Sequence, residues 1–210
     1  KKILQKPWPR LTYQESMDRF GKDNPDLRYG MELVDFTDLA VDSGFQVFEK
    51  AVANGGHVRG INAKGCGDYS RKQIDALTDY VKQFGAKGLA YIALTSEGEE
   101  RSAITKFFSD ETNAEIKKRM DAEAGDLLLF VADAPEITYD TLGRLRVHLA
   151  QELGLADPDL LAFCWVVDFP FAFWNEEEQR WDPSHHLFTS PLPEDAHLLD
   201  TEPENVRGAQ

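Results

Sequence analysis

The sequence has few cysteines and few cations. Two cysteines, Cys66 and Cys164, occur among 210 residues. One lies in a glycine-rich segment and the other in an apolar run, which favours reduced thiols over a disulfide framework. Lys and Arg number 23 against 37 Asp and Glu, for a formal net charge of -14. Because this charge repels nucleic-acid phosphates, we expect weak or no nucleic-acid binding by the chain itself.

Long apolar segments are also missing. No run approaches the roughly 20 apolar residues that span a bilayer, so we expect no membrane partner. The opening segment KKILQKPWPR has no apolar stretch typical of a secretion signal, which favours a cytoplasmic location. The composition is 42% apolar, which is enough to bury a core in one large domain or two small ones.

Two helix starts are marked by capping boxes. Thr12 is followed three residues later by Glu15, and Ser70 by Gln73, so each pair can satisfy free amides of a first helical turn. Gly21 is the expected end of the first helix. The second helix places four apolar residues on one face, namely Ile74, Leu77, Val81 and Phe84.

Strands are predicted from short apolar or alternating segments. FQVFEKAV and HVRGINA are interpreted as a hairpin, because the Asn54-Gly55-Gly56 turn between them tolerates positive φ. GLAYIAL and DLLLFVAD are further strands, with ITKFF a weaker candidate. Helices are predicted over NAEIKKRMDAEAG and TYDTLGRLRVHLAQELG. This interspersed order with a hairpin predicts an α+β fold with a largely antiparallel sheet and helices.

The long apolar run LLAFCWVVDFPFAFW follows the last of these helices. It is predicted to form a strand buried on both faces and ended by Pro170. Such a strand needs a sheet, and the acidic, proline-punctuated sequence after it offers too few partner strands. The two ends of the chain are therefore interpreted as incomplete pieces of one domain, with a complete domain between them.

The segment SHHLFTSPLP contains the best candidates for chemistry. The imidazoles of His185 and His186 can donate, accept or carry charge near neutral pH. Neighbouring side chains of an extended chain point to opposite faces, so one of the two is expected to face a given ligand; a structural or solvated pair is the alternative. Asp168, within the apolar run, needs partners if buried, and capping of nearby backbone is its alternative role.

Other constellations are weaker. GGHVRGINAKGCGDYSRK could cradle a phosphate but lacks P-loop spacing, which favours a hairpin and a helix lead-in. His57 and Cys66 lack the two further ligands of a zinc site, so no metal ligand is assigned. No Ser, His and Asp order is distinctive enough for a hydrolase, and no catalytic residue is assigned.

Several separated segments together resemble bacterial-type aspartyl-tRNA synthetases, which are class II enzymes. PWPRLTYQESMDRFGKDNPDLRYGMEL resembles the family stretch P-F-P-R-L-T-Y…G-x-D-x-P-D-L-R. SRKQID and FGAKGLAYI resemble signatures of the domain inserted in that family, and WVVDFP and HHLFTSP resemble the return to the catalytic domain. The resemblance runs nearly from end to end, in the family's order.

The resemblance implies three parts. Residues 1–30 and 157–210 correspond to incomplete pieces of the class II catalytic domain, and residues 31–156 to the α+β insertion called the GAD domain. By position, His185 and His186 are implied to be aspartate-binding residues, with His185 in contact with the substrate. Asp168 is a possible supporting residue of the same pocket. Leu187 replaces the family's usual proline, which loosens the backbone after the pair.

The same resemblance implies substrates and partners. The full enzyme activates aspartate with ATP and Mg²⁺, transfers it to tRNA and forms a homodimer. The motif 2 arginine, the Asn-Gly-x-Glu-x-Gly-Gly segment and the motif 3 arginine have no counterpart here. The chain alone is therefore expected to be inactive and to carry no bound cofactor.

Two other functions remain open from the sequence. The middle domain could bind tRNA or a protein, using a basic patch composed of Arg59, Lys64, Arg71 and Lys72. The chain could instead be a stand-alone α+β metabolite-binding protein with His185 in its pocket.

Overall fold

The computed structural model describes residues 1–184, 186 and 188–209. In chain order the strands are β1 (Lys2–Ile3), β2 (Arg10–Thr12), β3 (Val34–Asp35), β4 (His57–Ala63), β5 (Ala90–Leu94), β6 (Glu100–Ser102), β7 (Leu127–Asp133), β8 (Leu160–Leu161), β9 (Trp165–Val167), β10 (Ala172–Asn175) and β11 (Arg180–Pro183). The α-helices are α1 (Tyr13–Phe20), α2 (Thr37–Ala40), α3 (Gln46–Ala53), α4 (Arg71–Lys82), α5 (Asp110–Arg119) and α6 (Pro135–Glu152). Short 3-10 helices cover Thr105–Phe107, Ala196–Leu198 and Pro203–Asn205.

A five-stranded sheet forms the middle of the chain. Its order is β3-β4-β7-β5-β6, and every neighbouring pair is antiparallel. Strand β7 is buried on both faces: Leu127 and Leu129 pack with α4 and α6, whereas Leu128 and Phe130 pack with α2, α3 and α5. The predicted α+β fold with a largely antiparallel sheet is confirmed.

Both predicted capping boxes form. Thr12 Oγ1 accepts from the Glu15 amide at 3.0 Å, and Glu15 Oε2 accepts from the Thr12 amide at 2.7 Å. Ser70 and Gln73 make the same reciprocal pair at the start of α4. Gly21 ends α1 with a φ of 64°, a conformation that glycine adopts at little cost. Phe84, expected on α4, lies beyond its last residue.

The predicted first strand of the hairpin is wrong. FQVFEKAV forms most of α3, and Asn54-Gly55-Gly56 joins a helix to β4 instead of joining two strands. The Phe-x-Val-Phe alternation suits a strand, but Phe45, Phe48 and Val52 also share one helical face, and that face packs into the core. ITKFF likewise forms a short 3-10 helix rather than a strand.

The two ends of the chain pair with each other. β1 pairs in parallel with β8, and β2 in parallel with β9. The apolar run from Leu160 is not one strand buried on both faces, because it breaks into β8, β9 and β10. Trp165 stays 53% exposed and Phe173 50% exposed, since these strands pair in two-stranded ribbons only. β10 and β11 pair with each other as an antiparallel hairpin.

A buried arginine fastens the connection between the N-terminal segment and the middle sheet. Arg146 of α6 is 1% exposed, and its guanidinium donates at 2.8 to 3.1 Å to four carbonyl oxygens. These oxygens belong to Asp26, Tyr29, Gly30 and Met31. Burial lowers the pKa of Arg146. Because a buried guanidinium needs acceptors, the connection is held in one conformation.

A second junction links α1 to the sheet. Arg59 of β4 pairs with Asp18 at 2.7 Å and with Asp35 at 2.8 Å. The Tyr139 hydroxyl donates to Asp18 Oδ1 at 2.6 Å. Burial and this hydrogen bond raise the pKa of Tyr139 to about 12. These contacts hold α1 against the middle sheet.

Within the described residues, no helix is long and apolar enough to cross a bilayer.

Candidate functional site

The loop that carries the histidine pair follows β11. His185 and Leu187 lie outside the described residues, so the predicted substrate contact and the proline replacement remain predictions. His186 is exposed. Its Nδ1 accepts from the Phe188 amide at 3.3 Å, and its carbonyl oxygen accepts from the Thr189 amide at 2.9 Å. The described part of this loop is therefore a tight turn that displays His186.

Asp168 is not the embedded acid expected from the sequence. It follows the last residue of β9, has a φ of 57° and is exposed. Its Oδ1 accepts from Arg207 Nη1 at 3.3 Å. Because the strand ends before Asp168 and the chain turns there, the carboxylate points away from an apolar core and meets a cation.

Arg207 organises the surrounding acids. Its Nε and Nη2 donate to the two carboxylate oxygens of Asp195 at 2.7 and 3.0 Å, and Glu194 lies 3.5 Å from Nη2. The hydrogen bonds from Arg207 lower the pKa of Asp195, and Asp195 in turn raises the pKa of Arg207. A two-point pair of this kind fixes the orientation of the guanidinium.

Backbone hydrogen bonds gather three segments at this place. The Gly208 amide donates to Phe169 O at 2.8 Å, and the Ala209 amide donates to Ser190 O at 2.7 Å. A Cβ on Gly208 would come within 3.1 Å of Thr189 Cγ2. The structure therefore places the segment after Asp168, the loop after His186 and the segment around Arg207 side by side.

Arg207 is the site residue that the sequence predictions missed. A signal was present, because Arg207 is the only Lys or Arg after Arg180 and lies in an acidic segment. The described residues contain no group of three His, Cys, Asp or Glu side chains that could hold a metal ion. The three acids near Arg207 already face its guanidinium, so we assign no Mg²⁺ ligand among them.

The basic patch considered for tRNA binding does not form as predicted. Arg59 is 7% exposed and is neutralised by Asp18 and Asp35. Lys64 binds Asp121 at 3.1 Å. A buried, paired guanidinium cannot present its charge to a phosphate, so Arg59 does not contribute to such a patch.

The comparisons with known proteins agree with one another. Residues 48–142 match the GAD domain family model. An aspartate–tRNA(Asp/Asn) ligase of Geotalea uraniireducens is 53% identical over 201 residues, covering 96% of this chain and 34% of that protein. A ligase of the same name from Symbiobacterium thermophilum is 58% identical over 189 residues, or 90% of this chain and 32% of that protein. The corresponding ligase of Rubrobacter xylanophilus is 51% identical over 209 residues, or 99% of this chain and 34% of that protein.

These matches cover nearly all of this chain, whereas the chain spans about a third of each relative's length. The family model begins within α3 and ends within α6, so it includes strands β4 to β7 of the five-stranded sheet and the whole of α4 and α5. By sequence, the chain is therefore similar over nearly all of its length to about one third of these aspartate–tRNA ligases, and the similar part contains the match to the GAD domain.

Proposed function

We propose that the chain works as part of an enzyme that activates aspartate with ATP and Mg²⁺ and transfers the aspartyl group to tRNA. The observation that carries this proposal is sequence identity of more than 50% to two aspartate–tRNA(Asp/Asn) ligases, in alignments that cover 96% and 99% of the chain. In such a reaction the protein supplies positioning and electrostatic stabilisation. The proposed location of the enzyme is the cytoplasm, where tRNAs are charged.

The proposed division of labour follows the pairing of the strands. Residues 1–30 and 157–210 are assigned to the catalytic domain, and residues 31–156 to the insertion. The parallel pairs β1 with β8 and β2 with β9 support this division, since they join the two flanks without using the middle sheet. Arg146 and Arg59 then connect the two parts at defined points.

We assign aspartate binding to the loop after β11. His185 is the proposed substrate contact, His186 its support, and Asp168 a supporting residue of the pocket. The hydrogen-bonded neighbours of Asp168 and His186 support this grouping, because Gly208 contacts both Phe169 and Thr189. An imidazole and an acid near a guanidinium suit a small zwitterion such as an amino acid, which carries one charge of each sign.

The chain on its own is proposed to be inactive, and the full enzyme to act as a homodimer. About two thirds of each relative's length lies outside the match. Exposed aromatic side chains in the flanks support the need for additional protein surface. Trp8, Phe163 and Trp165 are all exposed, and Trp8 packs on the other two rings at 5.1 and 6.1 Å.

A chimera tests the proposal. This chain would replace the matching third of the Geotalea uraniireducens ligase, and aspartate-dependent exchange between ATP and pyrophosphate would be measured. The chimera should be active, and His185→Ala should raise the KM for aspartate at least about tenfold, which corresponds to one charge-assisted hydrogen bond. His197→Ala, in a 3-10 helix, is the matched control. Equal effects of the two substitutions, or an inactive but folded chimera, would refute the assignment.

A further inference from the structure

A large cavity lies in the middle domain, and no described residue of the histidine loop lines it. It has a volume of about 920 Å³ and is lined mainly by apolar side chains between α3, β5 and β7. We name it the Phe45 groove after the wall residue Phe45; its other principal lining residues are Phe48, Ala51, Ala90, Ile104 and Ala132. Its size falls within the range of about 300 to 1,000 Å³ that small-molecule sites occupy.

The groove exists because side chains become small at one end of the sheet. On this face of β7, the large residues Leu128 and Phe130 are followed by Ala132. On β5, Ile92 is preceded by Ala90, which lies opposite Phe130. Ile92, Leu128 and Phe130 are fully buried, whereas both alanines remain partly exposed. At these two alanines the sheet therefore provides an apolar floor that is partly open to solvent.

The mouth of the groove also leaves apolar surface in water. Val47 on α3 lines the groove and is 56% exposed. Phe107 is 42% exposed and packs on the Phe45 ring with a centroid distance of 5.3 Å. Exposed apolar groups that border a concave apolar surface are typical of binding sites.

The charge at the mouth is opposite to that of the chain. Lys50, exposed on α3, lines the groove and has no ion pair among the described residues. The other lining charges are Lys87 and Asp133, which pair with each other at 3.0 Å. One unneutralised cation therefore stands at the mouth, in a chain with a formal net charge of -14.

We propose that the Phe45 groove binds an amphipathic small molecule with one anionic group. Its apolar body, aliphatic or aromatic, lies on Phe45, Ala90 and Ala132, and its anionic group pairs with Lys50. An apolar lining with a single placed charge supplies affinity from burial and orientation from the ion pair. This site is separate from the proposed aspartate site and does not depend on ligase activity.

Decanoate and decanol are suitable probes, because they share an apolar body and differ in charge. Each would be titrated into the 210-residue chain, with methyl resonances followed by NMR. Decanoate should cause saturable shifts at Ala90, Ala132, Ile104 and Val47. Lys50→Glu should weaken decanoate binding at least about tenfold, the equivalent of one charge-assisted contact, and should change decanol binding less than about twofold, since decanol carries no charge.

Two further variants keep the test decisive. Lys72→Glu, on the exposed surface of α4, makes the same charge change away from the groove and should leave both affinities unaltered. Ala132→Phe and Ala90→Phe each fill the floor, and whichever variant retains the native circular dichroism spectrum should lose binding of both probes.

Three results would overturn the proposal. If Lys50→Glu and Lys72→Glu weakened decanoate binding equally, the loss of affinity would be a general effect of the net charge. Saturable shifts confined to methyl groups of the flanks, such as Leu4 and Leu199, would place the probe on the exposed flank surface. Concentration-dependent dimerisation that is abolished by Val47→Asp would show that a second copy of the chain covers the groove.

Discussion

Gly21 and Gly143 are in direct backbone contact where the end of α1 meets the middle of α6. A Cβ on Gly143 would lie 2.5 Å from the Gly21 carbonyl oxygen, and one on Gly21 would lie 2.9 Å from the Gly143 amide nitrogen. Only hydrogen fits between the two backbones. The close approach therefore requires glycine at both positions, and in Gly21 the φ of 64° requires it as well.

Gly143→Ala should destabilise the chain although alanine is the better helix former by about 1 kcal/mol. Steric overlap with backbone atoms forces α1 and α6 apart, and we expect a net loss of about 1 to 3 kcal/mol in the free energy of unfolding. Urea denaturation followed by circular dichroism measures this loss. Gly88→Ala is the matched control, because no atom lies within 4 Å of a Cβ there. A more stable Gly143→Ala variant would disprove the contact.

Arg146→Met should release the connection between residues 26 and 31. The substitution keeps the apolar stem but leaves four carbonyl oxygens without their donor, and we expect a loss of about 2 to 4 kcal/mol in the free energy of unfolding. The free energy of unfolding of Arg146→Lys should lie between those of the wild type and Arg146→Met. Arg144→Met removes an exposed pair with Asp140 and should cost less than about 1 kcal/mol. Equal losses for the two Met variants would contradict this role of Arg146.

Tyr139 should make stability depend on alkaline pH. Its pKa is raised by burial and by the hydrogen bond to Asp18 to about 12, whereas an unfolded tyrosine titrates near its ordinary value of about 10. The stabilisation is fully present below pH of about 10 and is lost as the pH rises through the folded pKa. After allowance for solvent screening, this amounts to about 1 kcal/mol.

The comparison with Tyr139→Phe isolates this contribution, since other tyrosines titrate in both proteins. The difference in free energy of unfolding between wild type and variant should shrink between pH 9 and the highest pH at which unfolding remains reversible. A difference that is independent of pH would exclude the proposed titration of Tyr139.

The exposed aromatic residues of the flanks should drive self-association. The side chains of Phe163 and Trp165 are about half exposed to solvent, and both rings contact Trp8. Replacing Phe163 and Trp165 by Ser removes apolar area, so the dissociation constant of any self-associated form should rise at least about tenfold. Analytical ultracentrifugation over a concentration series measures this constant. Phe107→Ser removes an exposed ring from the middle domain and should leave the dissociation constant unchanged. If Phe107→Ser raised the constant and the flank substitutions did not, self-association would occur through the Phe45 groove.

Local signals predicted the elements whose stability is local. The capping boxes at Thr12 and Ser70 depend on residues three apart, and β7 is an apolar run buried on both faces. The segment FQVFEKAV was mispredicted because its apolar spacing satisfies both a strand and a helix. Packing of Phe48 against Phe130, with ring centroids 6.3 Å apart, favours the helix, and that contact is invisible in the sequence.

The candidate site was predictable only in part for the same reason. The histidine pair and Asp168 stand out as residue types, but the partner of Asp168 is Arg207, which is 39 residues away in the sequence. The expected burial of Asp168 failed because the apolar run has partners on one side of its short strands only. Long-range pairing, rather than composition, sets the exposure of that carboxylate.

The Arg28 guanidinium donates to the Asp157 carbonyl oxygen at 3.5 Å, so the segments that lead into and out of the middle sheet lie next to each other. The chain thus leaves the flanks for the middle sheet and returns to them at nearly the same place. A change in the length of the segment between these two residues therefore need not alter the register of the parallel ribbons that join the flanks.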